Sequence, residues 1–212
     1  QIGFDVGGDR CAATIDHGDH ASGLLIVSGG NEIRSGAHRG MAELAATVAQ
    51  AGHPVMRFDR RGVGDSEGEN GGFTQSAADL ATALQAFRDE CPAMQRVVAF
   101  GNCDAAAALL LHLGQAQPDA LVLANVWTIE AAEADNEDSH DHDVMPPAAA
   151  IRARYAQKLR DPREWLRLLR GGFDLAKLWR GLKAARTPAP SGLAERLGAA
   201  LAATKLPVTI VL

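Results

Sequence analysis

The chain has 212 residues, of which 47% are hydrophobic, and a formal net charge of −5. That length encloses one well-buried core and points to a single main domain. The acidic balance argues against a nucleic-acid surface, which needs a clustered basic face, and no apolar run approaches the ~18 residues of a membrane span. Three cysteines, Cys11, Cys91 and Cys103, form no close pairs, as expected in a reducing compartment where a free thiol is core filling or reactive. The first residues, Gln1-Ile2-Gly3-Phe4, lack the basic stretch and apolar run of a signal peptide. A soluble cytoplasmic protein is therefore expected. With no initiating methionine, the sequence need not be the whole gene product.

In chain order, Ile2 to Val6 and Arg10 to Ile15 flank Gly7-Gly8-Asp9, the pattern of a β-hairpin. Gly23 to Gly30 holds a short apolar run closed by glycines, as in a strand buried on both faces. His38 to Gln50 carries Met41, Leu44, Ala45 and Val48 at helical spacing, with Gly52 at the stop position. Pro54 to Asp59 reads as a strand, Ser76 to Glu90 as a helix through Leu80, Leu84 and Phe87, and Val97 to Phe100 as a third buried strand. A helix over Ala105 to Leu113 follows, then strands at Leu121 to Asn125 and Pro207 to Leu212. This alternation predicts an α/β fold with a mostly parallel sheet and flanking helices, the hairpin adding antiparallel strands at one edge.

Two stretches interrupt the alternation. Glu130 to Asp143 is acidic with His140 and His142 embedded, and Ile151 to Arg186 is basic and amphipathic, with an apolar side from Trp165 to Trp179. The expected organisation is a core over 1–127, an inserted helical cap over 128–204 and a core strand over 205–212. The acidic loop could ligate a divalent metal through His140, Asp141, His142 and Asp143. A solvated loop without fixed geometry is the plainer account, so no metal site is assigned and no cofactor is expected.

The segment that carries chemistry is Gly101-Asn102-Cys103-Asp104-Ala105, set between a strand and a helix. A nucleophile elbow has this arrangement: a sharp turn exposes the central side chain, and small neighbours let the helix pass close to the sheet. A thiol there lies at a helix N-terminus, whose dipole favours the thiolate, although the adjacent Asp104 carboxylate opposes a second negative charge. The alternative is a buried structural cysteine. The backbone N–H of Asp104 is placed to donate to an oxyanion. The second donor is expected from Ser28-Gly29-Gly30-Asn31, at Gly30 or Asn31. Arg34 and His38, in the loop that follows, are candidates for substrate contacts. Asp59-Arg60-Arg61-Gly62-Val63-Gly64-Asp65-Ser66 is a glycine-punctuated crossing that an Arg61–Asp65 pair would fix. It lacks the GK[ST] of a phosphate-binding loop.

Together these motifs resemble the α/β-hydrolase superfamily over nearly the whole chain. Gly29-Gly30-Asn31 with Arg34 to Arg39, the Asp59 segment, Gly101 to Ala106 and the basic stretch from Tyr155 to Trp179 are similar to a narrower group. It is the first of two hydrolases associated with the exosortase A system of bacteria that sort PEP-CTERM proteins. The resemblance implies the fold and a hydrolase-like site but no particular substrate. From the elbow, the expected reaction is hydrolysis or transfer of an ester or thioester acyl group, small or carried by a lipid or carrier, with Cys103 attacking the carbonyl. The resemblance also implies a triad acid and histidine after Leu212. Two rivals are a non-catalytic module that binds a lipid or carrier partner through its cap, and a metal enzyme built on the His140 cluster.

Overall fold

The computed structural model describes residues 1–129 and 191–212. Gln1–Thr128 and Arg196–Leu212 form one compact unit, and Ile129–Glu195 form a second, most of which lies outside the described residues. The acidic loop, the tryptophan-bearing cap and the His140 cluster all fall outside them. No described helix is long and apolar enough to cross a membrane.

The chain begins with strands β1 (Ile2–Val6) and β2 (Asp9–Asp16), which pair antiparallel with Val6 opposite Asp9. Gly7 and Gly8 take φ of 65° and 101°, as a two-residue hairpin turn requires. Next come β3 (Ser22–Val27), α1 (Gly40–Gln50), β4 (Val55–Phe58), α2 (Ala77–Glu90) and β5 (Arg96–Asn102). They are followed by α3 (Asp104–Leu111), α4 (Leu113–Ala116), β6 (Ala120–Ala124), α5 (Ser191–Ala203) and β7 (Val208–Val211). The seven strands form one sheet in the order β1-β2-β4-β3-β5-β6-β7. All neighbours are parallel except β1–β2 and β2–β4. Every predicted strand is present, within three residues at each end, and the expected α/β-hydrolase architecture is observed.

Sequence explains why these segments fold as they do. Along β4 every residue is buried, including Arg57, whose guanidinium reaches Asp16 at 3.0 Å, so the one charge in the strand has a partner. Ile26, Ala45 and Val55 are buried together, with Met41, Leu44 and Val48 of α1 packed against them. On α2, Leu80, Leu84 and Phe87 are fully buried at the helical spacing that marked them in the sequence.

Local structure departs from expectation at two helix ends. The helix expected from His38 starts at Gly40, because His38 and Arg39 take φ of 48° and 65° and cannot continue a right-handed turn. The helix expected through Leu113 breaks at His112, whose ring nitrogen lies 3.1 Å from the Phe73 carbonyl oxygen. Residues from Arg196 onward, counted with the cap by sequence, group with the core, since they lead directly into β7.

β3 lies between β4 and β5. The connection from β3 through α1 runs to one side of it, and the connection from β4 through α2 crosses back to the other. This reversal leaves a crevice beyond the carboxyl ends of β3 and β5, where open α/β sheets place their sites.

Candidate functional site

The parallel register pairs Val27 with Gly101, so the segments leaving β3 and β5 emerge side by side. Cys103 sits at the strand-to-helix turn with φ 60° and ψ −124°, a region that L-residues rarely occupy. The strain is held on both sides. The Cys103 N–H donates to the Ala124 carbonyl at 3.0 Å, and its own carbonyl accepts from the Trp127 N–H at 3.1 Å. A Cβ on Gly101 would stand 2.8 Å from the backbone of Ala105 and Ala106, so α3 crosses the strand against bare backbone. Ala105 through Ala108 are fully buried. Cys103 itself is half-buried and unpaired with any other cysteine. These are the features of a nucleophile elbow.

Asp104 opens α3, and its backbone N–H has no hydrogen-bond partner among the described residues. Its side chain turns back on the neighbouring loop, where Oδ1 accepts from the Gly30 N–H at 2.6 Å. Gly30 and Asn31 are the corner residues of a turn closed by the Glu32 N–H on the Gly29 carbonyl at 3.0 Å, with Gly30 at φ 54°. The Asn31 side chain accepts from Asn70 Nδ2 at 2.7 Å. The structure thus brings Cys103, Asp104, Gly30 and Asn31 together, as the motifs implied, but with the Gly30 amide already engaged.

Arg34 is placed otherwise. Its guanidinium pairs with Asp59 and, at 2.8 Å, with Asp65, while Nε donates to Thr14 at 3.2 Å. Each of its nitrogens therefore serves the scaffold. The Arg61–Asp65 pair expected from sequence is not formed, since Asp65 pairs with Arg34 and Arg61 with Asp79 at 3.1 Å. His38 is exposed at the start of α1 and makes no hydrogen bond to Cys103 or Asp104 among the described residues.

The Asp59 segment is the frame of the site. Asp59 is 1% exposed and also accepts from the Arg34 and Asp65 backbone N–H groups at 2.5 and 3.1 Å. Ser66 donates to the Asp59 carbonyl at 2.7 Å and accepts from the Ala12 N–H at 2.9 Å. Gly64, at φ 57°, passes so close that a Cβ would fall 2.4 Å from the Asp59 carboxylate. Spacing alone did not reveal Arg60. It is 5% exposed and donates through Nη2 to the Gly30 carbonyl at 2.5 Å. Beside it opens a polar cleft of ≈ 550 Å³, walled by Arg60, Arg61, Asn70, Gln75, Ser76 and Asp79 among others. Cys103 is not one of its walls.

The two other thiols lack such a setting. Burial pushes Cys11 above its ordinary range, and burial with the charge of Glu90 does the same at Cys91. No cluster of three or more metal-binding side chains occurs among the described residues.

Comparison with known proteins agrees with this geometry. A family model described as serine aminopeptidase, S33, matches residues 19–164, well over half the chain. Among solved structures, Est1E from Butyrivibrio proteoclasticus with bound ferulic acid aligns at TM-score 0.52 and 16% identity, over 59% of this chain and 53% of its own. An α/β hydrolase from Sphaerobacter thermophilus aligns at 0.52 and 18%, over 99% and 80%. An esterase from Pyrococcus furiosus aligns at 0.57 and 14%, over 99% and 67%. The chain spans about half the length of the first of these, and identities this low speak to the fold alone. No curated protein matches the chain. With its strand order, its elbow and the matched region in agreement, the chain has the α/β-hydrolase fold and belongs to the serine aminopeptidase, S33, family.

Proposed function

We propose that the protein is a hydrolase or transferase of ester- or thioester-linked acyl groups in which Cys103 replaces the serine named in the family's description. The observation that carries this reading is the backbone of Cys103, held at φ 60° and ψ −124° between β5 and α3. Strain of this kind costs of order 1–3 kcal/mol and persists where the surroundings enforce it. A cysteine that merely filled the core would gain nothing from it.

In the proposed reaction Sγ attacks the substrate carbonyl carbon, forming a C–S bond and a tetrahedral oxyanion. The Asp104 N–H and one N–H of the Gly30–Asn31 turn stabilise that oxyanion, each donor being worth about 3 kcal/mol in the barrier. Collapse breaks the bond to the leaving alcohol or thiol, which takes up a proton. Water, or an acceptor in the transferase version, then releases the acyl group from Sγ. The histidine that accepts the thiol proton, with its acid, is expected after Leu212, as the resemblance implies. Gly29-Gly30-Asn31, Arg34 to Arg39, Asp59 to Ser66 and Gly101 to Ala106 support the narrower kinship with the exosortase A-associated hydrolases, and the acyl substrate proposed is a small molecule or one borne by a lipid or carrier. Three unpaired thiols support placement in the cytoplasm.

The test is reaction of the full-length protein with short-chain nitrophenyl esters and acyl thioesters, alongside Cys103→Ala. A burst of product with one equivalent of bound acyl, lost in the variant, is expected. Turnover that survives in Cys103→Ala rejects the cysteine mechanism, and silence from both proteins favours a non-catalytic binding module.

A further inference from the structure

We propose that the Asp104 carboxylate is a positioning residue that sets the oxyanion turn, and that the turn's donor to the substrate is the Asn31 N–H rather than that of Gly30. This inference rests on the cysteine-nucleophile reading above and names the parts of the same site.

The Gly30 residue is held from both sides by charged groups. Asp104 Oδ1 accepts its N–H at 2.6 Å, and Arg60 Nη2 donates to its carbonyl at 2.5 Å. Arg60 Nη2 also lies 3.7 Å from Asp104 Oδ2, with the two side chains only 5% and 15% exposed. Carboxylate, glycine and guanidinium thus close a ring in which the two charges face each other. A bond from an amide to a carboxylate is charge-assisted, and an oxyanion could use the Gly30 N–H only after that bond is broken. The neighbouring positions are shaped to admit the carboxylate. A Cβ on Gly29 would lie 2.6 Å from Asp104 Oδ1 and 2.8 Å from the Asn102 carbonyl oxygen, so the approach requires glycine there.

What the ring leaves available is the other corner of the turn. The Asn31 N–H has no hydrogen-bond partner among the described residues, while the Asn31 side chain is anchored on Asn70 at 2.7 Å. The Asp104 backbone N–H is likewise unengaged among the described residues. Preorganised donors lower a barrier because they need not reorganise as charge develops, and the Asp104–Gly30–Arg60 ring supplies that rigidity one residue before the donor. Arg60 offsets the carboxylate charge, which limits its repulsion of the oxyanion.

The experiment measures the rate of Cys103 acylation by p-nitrophenyl acetate in the full-length protein, with the adduct located by mass spectrometry and backbone amide exchange followed over residues 29–32. Asp104→Ala should slow acylation about tenfold or more with little change in KM, and accelerate exchange at the turn. Asp104→Asn, whose amide oxygen still accepts the Gly30 N–H, should recover most of both. Asp104→Ser, too short to reach Gly30, should behave as Asp104→Ala does, and replaces it if that variant does not fold. Asn31→Pro, which deletes the N–H at a residue whose φ is not positive, should acylate at least tenfold more slowly than Asn31→Ala. Acylation as fast or faster in Asp104→Ala would overturn the proposal, showing the carboxylate to obstruct the Gly30 donor. Equal rates in the two Asn31 variants would overturn the donor assignment. If the wild-type protein forms no adduct at Cys103, the cysteine reading fails instead, and exchange at residues 29–32 still decides whether Asp104 sets the turn.

Discussion

Arg61 and Asp79 are joined by three hydrogen bonds: Nε to Oδ1 at 3.1 Å, Nη2 to Oδ2 at 3.1 Å and the Arg61 backbone N–H to Oδ1 at 3.0 Å. The contact fastens the loop after β4 to the first turn of α2. Asp79 is nearly enclosed, at 4% side-chain exposure, and Arg61 is 28% exposed. Hydrogen bonding to Asp79, opposed by partial desolvation, raises the Arg61 pKa.

Asp79→Ala removes all three bonds but leaves Arg61 partly exposed and 3.8 Å from Asp9, so a loss of about 1–3 kcal/mol is expected, the scale for hydrogen bonds to a charged group. Asp79→Asn should lose less, because its amide oxygen can still accept. Urea unfolding midpoints of the two variants check the ordering, and equal, small losses would show that the contact contributes little.

Glycine at the elbow is a packing requirement. Gly101→Ala would drive a methyl group into the backbone of Ala105 and Ala106, at 2.8 Å, where no side chain can rotate away. A loss of about 1–3 kcal/mol is expected from such overpacking, together with loss of any activity that depends on Cys103. Gly114, with open space around its Cβ, is the control: Gly114→Ala should be neutral or slightly stabilising. Comparable unfolding midpoints for the two variants would contradict the close crossing.

The strain at Cys103 is measurable as stability. Cys103→Gly and Cys103→Ala both remove the thiol, but only glycine accepts φ 60° without penalty. The glycine variant should be the more stable of the two by about 1 kcal/mol, at the low end for a strained residue. Thermal or urea unfolding of the pair decides the matter; an alanine variant of equal or greater stability would mean the turn holds no strain.

The three thiols should separate under alkylation. Cys11 is buried, and burial raises its pKa above the ordinary thiol range. Cys91 is raised by burial and by Glu90. Iodoacetamide near neutral pH should therefore modify Cys103 first and leave Cys11 intact in the native protein, as peptide mapping would show. Cys11 has a second consequence. Its folded pKa lies above the unfolded one, so its contribution is complete below about pH 9 and is lost as pH rises towards the folded value, by up to ~1.4 kcal/mol per pH unit. Stability measured by unfolding at pH ~8 and ~10 should thus fall more steeply in the wild-type protein than in Cys11→Ala.

The repeating architecture was legible because it rests on local periodicity. Buried parallel strands read as apolar runs at Leu24–Val27 and Val97–Phe100, and α2 announced itself through Leu80, Leu84 and Phe87. The elbow was legible for a related reason: a sharp strand-to-helix turn demands small residues at fixed offsets, and Gly101 and Ala105 stand at those offsets. Helix starts were less so, since nothing in the composition of His38-Arg39 signals a left-handed backbone.

Charge pairing could not be read in the same way. Sequence places Arg61 and Asp65 four residues apart, yet in the folded chain Arg61 reaches Asp79 and Asp65 reaches Arg34, partners set by how loops from different strands stack. For the same reason the Asp104 carboxylate, expected only to oppose a thiolate beside it, meets the Gly30 N–H in the fold, and Arg60 reaches the Gly30 carbonyl unannounced. The sequence by itself determined the order and type of the elements and the position of the cysteine, because these follow from periodicity and turn sterics within a few residues. Only the tertiary structure decided which carboxylate meets which guanidinium and which amide of the turn Asp104 takes up, because those depend on distances between segments that are remote along the chain.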